Sequence, residues 1–239
     1  MNVLITGGAS GLGQAITRKT AAAETNRVYF TYNTSHAAAS AIEKEFPNTT
    51  GLKCDFSSAS ELENLLARMP GMGLDVVVHN AISGMVKKHF HKIDPDVFRE
   101  SFSCNIMPII RITQQALTLF RKKKFGKIIS ILTAAIVNRP PTGWSEYVAN
   151  KAYLLSLNKS WAVENASFNI TANCISPSFM QTAFTRDMDE RIAEEIISNH
   201  PLKRLLTPEE VADAVIFFMG APQHINGTNL IINAAADVI

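Results

Sequence analysis

Two hydrophobic patterns alternate along the chain. Short, largely apolar runs rich in Val, Ile and Phe are followed by longer segments with helical periodicity. Continuous apolar runs are typical of strands covered on both faces, and their alternation with helices is typical of βαβ units in one parallel sheet. We predict seven strands, at residues 2–6, 28–32, 51–55, 75–79, 127–132, 170–175 and 229–232.

Capping residues mark several helix starts. Ser35 precedes an Ala-rich helical segment, and Ser57 or Ser58 precedes the next one. Thr207 is followed by a proline and two glutamates, which suit the first turn of a helix. Because no repeat, low-complexity tract or linker interrupts the series, we expect one α/β domain over residues 1–239.

Residues 178–204 depart from the alternation of strands and helices. A long, mostly helical segment rich in Met, Phe and alternating charge stands where a short crossover would suffice. Long insertions in such folds often cover ligands. We expect a substrate lid at about residues 178–204, with an ordinary peripheral helix as the alternative.

Composition narrows the class of protein. Of the 239 residues, 46% are hydrophobic and 18% are charged, which suits a sizeable core. The net charge of +2 is too small to indicate a surface built for nucleic acid. No apolar stretch reaches membrane-spanning length and the N-terminus has no basic leader, so we expect a cytoplasmic protein without a membrane partner.

Cysteine and histidine provide little sign of metal chemistry. Cys54, Cys104 and Cys174 are widely spaced in apolar surroundings, which favours reduced core thiols. His89 and His91 lack a Cys or carboxylate partner at ligand spacing, so we expect no metal site.

A glycine-rich run, TGGASGLG at residues 6–13, follows the first strand and precedes a helix. Gly7, Gly11 and Gly13 permit a tight turn and close backbone approach to a pyrophosphate, which would bind at the helix N-terminus. Ser10 and Leu12 lie in the same turn. This context predicts a dinucleotide site.

The end of strand two bears on the choice of dinucleotide. An acidic residue there would bind the ribose 2′-hydroxyl of NAD, but the chain has Asn33, Thr34 and Ser35 instead. These neutral donors can accommodate a 2′-phosphate, so NADP(H) is favoured. No Arg or Lys stands in the stretch, and NAD(H) remains possible.

Tyr147 and Lys151 lie one helical turn apart on a predicted helix. A tyrosine and a lysine at this spacing are common by chance, so their neighbours decide the interpretation. Thr133 lies at the end of strand five, and Asn105 lies within a long predicted helix before that strand. Each of these two residues alone has an equally good structural explanation.

Several motifs follow one another in a characteristic order. They are TGxxxGxG, Asn80-Ala81 after strand four, the helical Asn105, the Thr133 hydroxyl, YxxxK, and Pro-x-x-x-x-Thr at residues 177–182. In these residues the chain resembles the short-chain dehydrogenase/reductase family along essentially its whole length.

The run NGTNL at residues 226–230 and the short C-terminus make the 3-oxoacyl-acyl-carrier-protein reductases the most similar group. The resemblance implies a Rossmann-type doubly wound parallel sheet in the order 3-2-1-4-5-6-7. It also implies a homotetramer or homodimer, built from two long helices and the last strand.

The resemblance also implies roles for individual residues. Reduction of a ketone by hydride transfer leaves negative charge on oxygen, so a proton and hydrogen-bond donors are needed there. Tyr147 would give the proton, its pKa lowered by Lys151 and the oxidised nicotinamide. Thr133 would orient the carbonyl, and Asn105 would carry a water that links Lys151 to solvent.

Further cofactor contacts follow from the same resemblance. Lys151 would bind the nicotinamide ribose, the backbone near Thr182 the carboxamide, and Asp55 the adenine. The residues expected to contact the cofactor are Gly7, Ser10, Gly11, Leu12, Gly13, Asn33, Thr34, Ser35, Asp55, Phe56, Asn80, Ala81, Tyr147, Lys151, Pro177 and Thr182.

Four motifs depart from the family pattern. The usual NNAG is HNAI at residues 79–82, the usual serine is Thr133, the usual Pro-Gly is Pro177-Ser178, and the usual Asp-Gly-Gly is NAA at residues 233–235. Ile82 and Ser178 would narrow the substrate channel. Together with Trp144, Phe179, Met180, Pro140 and Pro141, they predict a pocket for an apolar or aromatic-bearing ketone.

The sequence has features both for and against the binding of a carrier-bound substrate. Phe168 stands where carrier-dependent reductases tend to have a basic residue, which argues against a carrier. A cationic cluster at residues 121–124 with Lys127 is expected near the site entrance, where it would attract an acidic ligand. Alternatively, these cations are solvated and complement a helix dipole.

The leading hypothesis is an NADP(H)-dependent reductase of a small-molecule or carrier-bound ketone, such as a 3-oxoacyl thioester. Two alternatives remain. The altered motifs are compatible with a cofactor-binding member that lacks turnover and acts as a regulatory or assembly subunit, and an NAD-linked alcohol dehydrogenase is also possible.

Overall fold

The computed structural model describes residues 1–137, 139–180 and 190–236. Within these ranges, seven strands alternate with helices. The strands are β1 (Asn2–Ile5), β2 (Arg27–Tyr32), β3 (Thr49–Lys53), β4 (Val76–His79), β5 (Gly126–Ile131), β6 (Ile170–Pro177) and β7 (Asn229–Ile232). The helices are α1 (Gly11–Ala21), α2 (His36–Glu45), α3 (Ala59–Met72), α4 (Pro95–Asn105), α5 (Met107–Lys123), α6 (Ser145–Asn165), α7 (Glu190–Asn199) and α8 (Pro208–Gly220).

All seven strands form one parallel sheet in the order β3-β2-β1-β4-β5-β6-β7, which confirms the predicted fold and strand order. The order reverses between β1 and β4, and ligands of open α/β sheets bind at such a point, beyond the carboxyl ends of the strands. Val3 and Ile5 belong to the core under α1 and α8, whereas Leu4 belongs to the core under α3 and α5. Helices on both faces thus explain the continuous apolar strands.

The predicted helix starts differ in how they are capped. The Ser58 side chain accepts a hydrogen bond from the Glu61 amide, and Thr207 forms a capping box with Glu210. Ser35 precedes α2 as predicted, but its backbone angles lie outside the extended region typical of a cap and its side chain makes no capping bond.

The long helix predicted around Asn105 is wrong, because the chain forms two helices there. Asn105 ends α4, and α5 begins at Met107. Pro108 lies in the first turn of α5 and has no amide hydrogen to continue the ladder from α4. The break places Asn105 at a helix end.

The cationic cluster does not lie at the site entrance. It surrounds the amino end of β5, whereas the carboxyl ends of the strands hold the cavity described below. Lys127 is buried and donates a hydrogen bond to the Ala221 carbonyl at the end of α8. The Arg121 guanidinium lies 4.8 Å from the centre of the Phe168 ring, and Lys123 forms an ion pair with Asp75. These cations stabilise the far end of the sheet.

The three cysteines are free thiols. Cys54 and Cys174 are buried as predicted, but Cys104 is half-buried and lies in the wall of the cavity, so its assignment to the core is wrong. None of the described helices combines the length and the apolar character needed to span a membrane.

Candidate active site

A cavity of about 1370 Å³ opens beyond the carboxyl ends of the strands. With the exception of Pro140, every residue of the sequence-predicted site that the structure describes lies in its wall, and Thr182 falls outside the described residues. The lining residues from the predicted site are Gly7, Ser10, Gly11, Leu12, Gly13, Asn33, Thr34, Ser35, Asp55, Phe56, Asn80, Ala81, Ile82, Asn105, Thr133, Trp144, Tyr147, Lys151, Pro177, Ser178, Phe179 and Met180.

The turn between β1 and α1 requires its glycines. Gly7 and Gly11 have φ angles of +66° and +50°, which side chains rarely permit. A Cβ atom on Gly13 would lie 1.9 Å from the Gly7 carbonyl oxygen. The backbone therefore folds back on itself at a distance that leaves no room for side chains.

The start of α1 is suited to an anion. Its first turn contains no acidic residue, and the Ser10 side chain makes no capping bond, so amide groups there are open to a ligand. Asn80 donates hydrogen bonds to the carbonyls of Thr6 (3.1 Å) and Gly7 (3.2 Å), which fixes the turn to the loop after β4. The residues present fit the pyrophosphate of a dinucleotide.

Polar groups surround the end of the cavity that lies beyond β2 and β3. The Asp55 carboxylate accepts hydrogen bonds from the Ser57 hydroxyl (2.7 Å) and amide (2.8 Å) and from the Asn33 side chain. The Ser57 hydrogen bonds are the main reason why the pKa of Asp55 lies below its usual value. The nearby Lys53 ammonium is paired with Glu61 at 2.7 Å.

Two segments bring Thr133, Tyr147 and Lys151 together. Thr133 follows β5, and its side chain lies close enough to that of Tyr147, in the first turn of α6, to favour the phenolate form. One turn later, Lys151 is 6% exposed and donates a hydrogen bond of 2.8 Å to the Ile131 carbonyl. Its Nζ lies 5.8 Å from the centre of the Tyr147 ring.

Burial sets the proton affinities of this pair. It raises the pKa of Tyr147 to about 12, which the nearby Thr133 side chain only partly opposes. Burial also lowers the pKa of Lys151 to about 8. Without the cofactor, burial therefore keeps the pKa of Tyr147 above its usual value, and its lowering by Lys151 together with the oxidised nicotinamide stays a prediction for the cofactor-bound protein.

Asn105 holds a loop. Its Oδ1 accepts a hydrogen bond from the Ser83 amide (2.7 Å), and its Nδ2 donates to the Ser83 carbonyl (3.0 Å). A second cavity of about 10 Å³, close to the volume needed for one water, is lined by Asn105, Tyr147 and Lys151 among others. The side chain is thus occupied with the loop after β4, and the predicted water has a place between these residues.

A buried polar network beside this site was missed from the sequence. Glu146 is 3% exposed, and its carboxylate accepts hydrogen bonds from Ser101 and from Asn150 (2.9 Å). Ser101 in turn accepts a hydrogen bond from Asn105 at 3.2 Å. The only signal was the position of Glu146 and Asn150 directly before Tyr147 and Lys151.

Aromatic rings form the part of the cavity wall beside Tyr147. The Trp144 ring centre lies 5.7 Å from that of Tyr147 and 5.4 Å from that of Phe179. The Ser178 hydroxyl is buried and has no hydrogen-bond partner among the described residues. Pro141 lines the cavity as predicted, whereas the prediction for Pro140 is wrong, because this exposed residue is not part of the cavity wall.

Ala234 and Ala235 adopt a backbone conformation that favours glycine. Their φ angles are +52° and +57°, in the left-handed region. They occupy the positions where the family resemblance places two glycines. Two alanines thus adopt here a backbone conformation that glycine adopts more easily.

Comparisons with known proteins agree with this geometry. A family model described as enoyl-(acyl carrier protein) reductase matches residues 7–234. A solved structure titled short chain dehydrogenase/reductase family protein superposes with a TM-score of 0.86 at 26% identity, covering 98% of this chain and 96% of that one. The chain belongs to the short-chain dehydrogenase/reductase family.

Two curated relatives of this short-chain dehydrogenase/reductase are reductases. The acetoacetyl-CoA reductase of Shinella zoogloeoides is 32% identical over 90% of this chain and 88% of its own. The 3-oxoacyl-(acyl-carrier-protein) reductase of Vibrio harveyi is 28% identical over 96% and 94%. The short-chain dehydrogenase/reductase described here is thus a carbonyl oxidoreductase with a nicotinamide cofactor, and the similarity to 3-oxoacyl carrier-protein reductases is confirmed.

Proposed function

We propose that the protein reduces a ketone to an alcohol with NADPH and that Tyr147 gives the proton. The observation that carries this proposal is that the Thr133 and Tyr147 side chains lie beside each other in the wall of the cavity that also contains the glycine turn. Substrates related to 3-oxoacyl thioesters are the first choice, because both curated relatives act on such compounds according to their names.

Each residue of the site has its own role in the proposed reaction. The bound nicotinamide supplies the hydride. Thr133 and Tyr147 offer two hydroxyls to one carbonyl oxygen, where negative charge develops during reduction. With a pKa of about 12, Tyr147 is protonated at neutral pH and ready to act as an acid. Lys151 has a pKa of about 8, so its ammonium group can exchange a proton near neutral pH.

The pocket near β2 supports NADP(H) over NAD(H). Asn33, Thr34 and Ser35 line the cavity after β2, and none of them carries a negative charge that would repel a 2′-phosphate. Asp55 and Phe56 lie on the neighbouring loop, where they would contact the adenine. NADP(H) specificity is therefore part of the proposal.

We propose that residues 178–204 cover the bound substrate. Ile196, Asn199 and His200, at the end of α7, lie in the cavity wall with Phe179 and Met180. This arrangement supports a lid role for the segment within a single domain.

We also propose that the protein works in the cytoplasm as a homotetramer or homodimer. The four residues of the edge strand β7 are all half-buried, and an unpaired sheet edge is a natural place for a partner subunit. Light scattering coupled to size-exclusion chromatography would give the subunit number.

A cofactor comparison tests the proposed reaction. Purified protein is mixed with NADPH or NADH and acetoacetyl-CoA or a panel of ketones. We expect oxidation of NADPH and formation of the hydroxy product, with NADH much less effective. A preference for NADH would overturn the cofactor assignment, and tight cofactor binding without reduction of any ketone would favour a regulatory or assembly role.

A further inference from the structure

Three cations line the substrate side of the cavity. Lys87 and Lys88 come from the loop after β4, and Arg139 comes from the loop after β5. All three are exposed. Among the described lining residues, the only carboxylate is Asp55, which lies at the opposite end with Asn33 and Ser57. We call Lys87, Lys88 and Arg139 the basic rim.

The basic rim stands on a fixed scaffold near the reacting hydroxyl. The Lys88 amide donates a hydrogen bond of 3.2 Å to the Gly143 carbonyl, which joins the two loops. The Lys87 ammonium lies 6.0 Å from the centre of the Trp144 ring, and that ring contacts Tyr147. A ligand at Tyr147 can therefore reach Lys87 of the basic rim.

The basic rim has no counter-charge of its own in the part of the chain that the structure describes. Lys87, Lys88 and Arg139 form no ion pair there, whereas Lys53 and Arg204 are paired with glutamates. Neighbouring like charges repel one another, and walls of low dielectric constant strengthen the field in a cleft. A bound anion would relieve this repulsion.

We propose that the ketone substrate carries an anionic group, a phosphate or a carboxylate, that binds the basic rim. The group lies beyond the carbonyl, with the apolar part of the substrate against Trp144 and Phe179 in between. This inference rests on the proposed function and narrows its substrate class from ketones in general to ketones that carry an acidic group. The anion has two possible sources, the phosphates of a pantetheine thioester or the carboxylate of a free oxo acid.

Matched substrate pairs test the inference. Acetoacetyl-CoA is compared with acetoacetyl-N-acetylcysteamine, which lacks phosphates, and 4-oxo-4-phenylbutanoate with its methyl ester. The triple variant Lys87→Gln, Lys88→Gln, Arg139→Gln is compared with Lys44→Gln, Arg68→Gln, Lys122→Gln, which removes the same charge from exposed positions outside the cavity.

We expect the rim variant to lower kcat/KM at least about tenfold for the charged member of one pair, and about twofold or less for its neutral member. The control variant should retain the activity of the parent. Loss with the CoA pair alone identifies phosphate as the anion, and loss with the acid pair alone identifies carboxylate. Equal effects on charged and neutral members would overturn the inference.

Binding measurements test this inference independently of the proposed reaction. With NADP⁺ present, calorimetry measures the affinity of CoA and of 4-oxo-4-phenylbutanoate for the parent and both variants. At least tenfold weaker binding of one ligand to the rim variant alone supports the anion site even if no ketone is reduced, in which case only the proposed reaction fails. Binding of both ligands unchanged by the rim variant, or absent from the parent, contradicts the anion site.

Discussion

The side chains of Thr133 and Tyr147 lie beside each other, although one follows a strand and the other begins a helix. This arrangement directs two hydroxyls towards one part of the cavity. It also shows how the branched Thr133 replaces the serine that the family resemblance leads one to expect, since a threonine keeps the hydroxyl and loses only rotamer freedom.

Removal of the Thr133 hydroxyl should therefore impair catalysis. Thr133→Val has nearly the same shape but no hydroxyl, and we expect kcat/KM for ketone reduction to fall about 100-fold. Thr133→Ser serves as the control and should stay within about tenfold of the parent. Equal rates for the valine and serine variants would mean that the hydroxyl does not contact the reacting oxygen.

Glu146 should position the site without touching the substrate. In Glu146→Ala, the Ser101 and Asn150 groups lose a buried acceptor, which costs about 1–3 kcal/mol of stability. Because Ser101 also contacts Asn105, which holds Ser83, we expect a lower kcat with little change in KM. Glu146→Gln retains an acceptor oxygen and should recover most of kcat. Chemical denaturation and steady-state kinetics check both effects.

Acid should destabilise the protein through His79. This residue is 2% exposed, its Nε2 lies 2.8 Å from the Thr113 hydroxyl, and burial lowers its pKa to about 3. The unfolded chain binds a proton near pH 6.5, whereas the folded chain does not until about pH 3. Stability from this source is therefore complete above pH 6.5 and is lost as the pH falls towards 3.

Denaturant unfolding at several pH values measures this effect. Between pH 7 and pH 4.5, we expect His79→Gln to lose about 2 kcal/mol less than the parent, since a glutamine does not titrate. If both proteins lose stability in parallel over this range, His79 is not the acid-sensitive group.

Ala234 and Ala235 should be sites where glycine stabilises the fold. Both have left-handed φ angles, which cost an L-residue about 1–2 kcal/mol, while glycine loses part of this gain through unfolded-state entropy. We expect Ala234→Gly and Ala235→Gly each to raise the free energy of unfolding by about 0.5–1 kcal/mol. Ala236→Gly, outside the positive-φ region, should give no such gain. Three equal changes would exclude backbone strain.

The fold and most of the site composition could be predicted because both depend on local patterns. Continuous apolar runs determine a doubly covered sheet, and residues after parallel strands meet at one edge whatever the details of packing. This is why Gly7, Thr133 and Trp144 line one cavity as expected. The β7 bounds agree with the predicted ones, and the other strands differ by one or two residues at one or both ends.

Other features depend on contacts between distant segments. The sequence could not reveal that Lys127 turns into the end of α8, or that Asn105 binds Ser83. It also did not show that two loops bring Lys87 and Arg139 to one cavity. Proton affinities belong to the same class, because the pKa of Tyr147 is set by how much solvent the fold removes.

The most direct test of the central claim is NADPH oxidation by the parent and by Tyr147→Phe, with acetoacetyl-CoA as the ketone and cofactor binding measured in parallel. The variant keeps the ring that contacts Trp144 and loses only the hydroxyl. We predict that it binds NADPH as tightly as the parent and reduces the ketone at least about 1000-fold more slowly, since both the proton donor and a hydrogen bond to the oxygen are gone. Reduction by Tyr147→Phe at the parental rate would contradict the account.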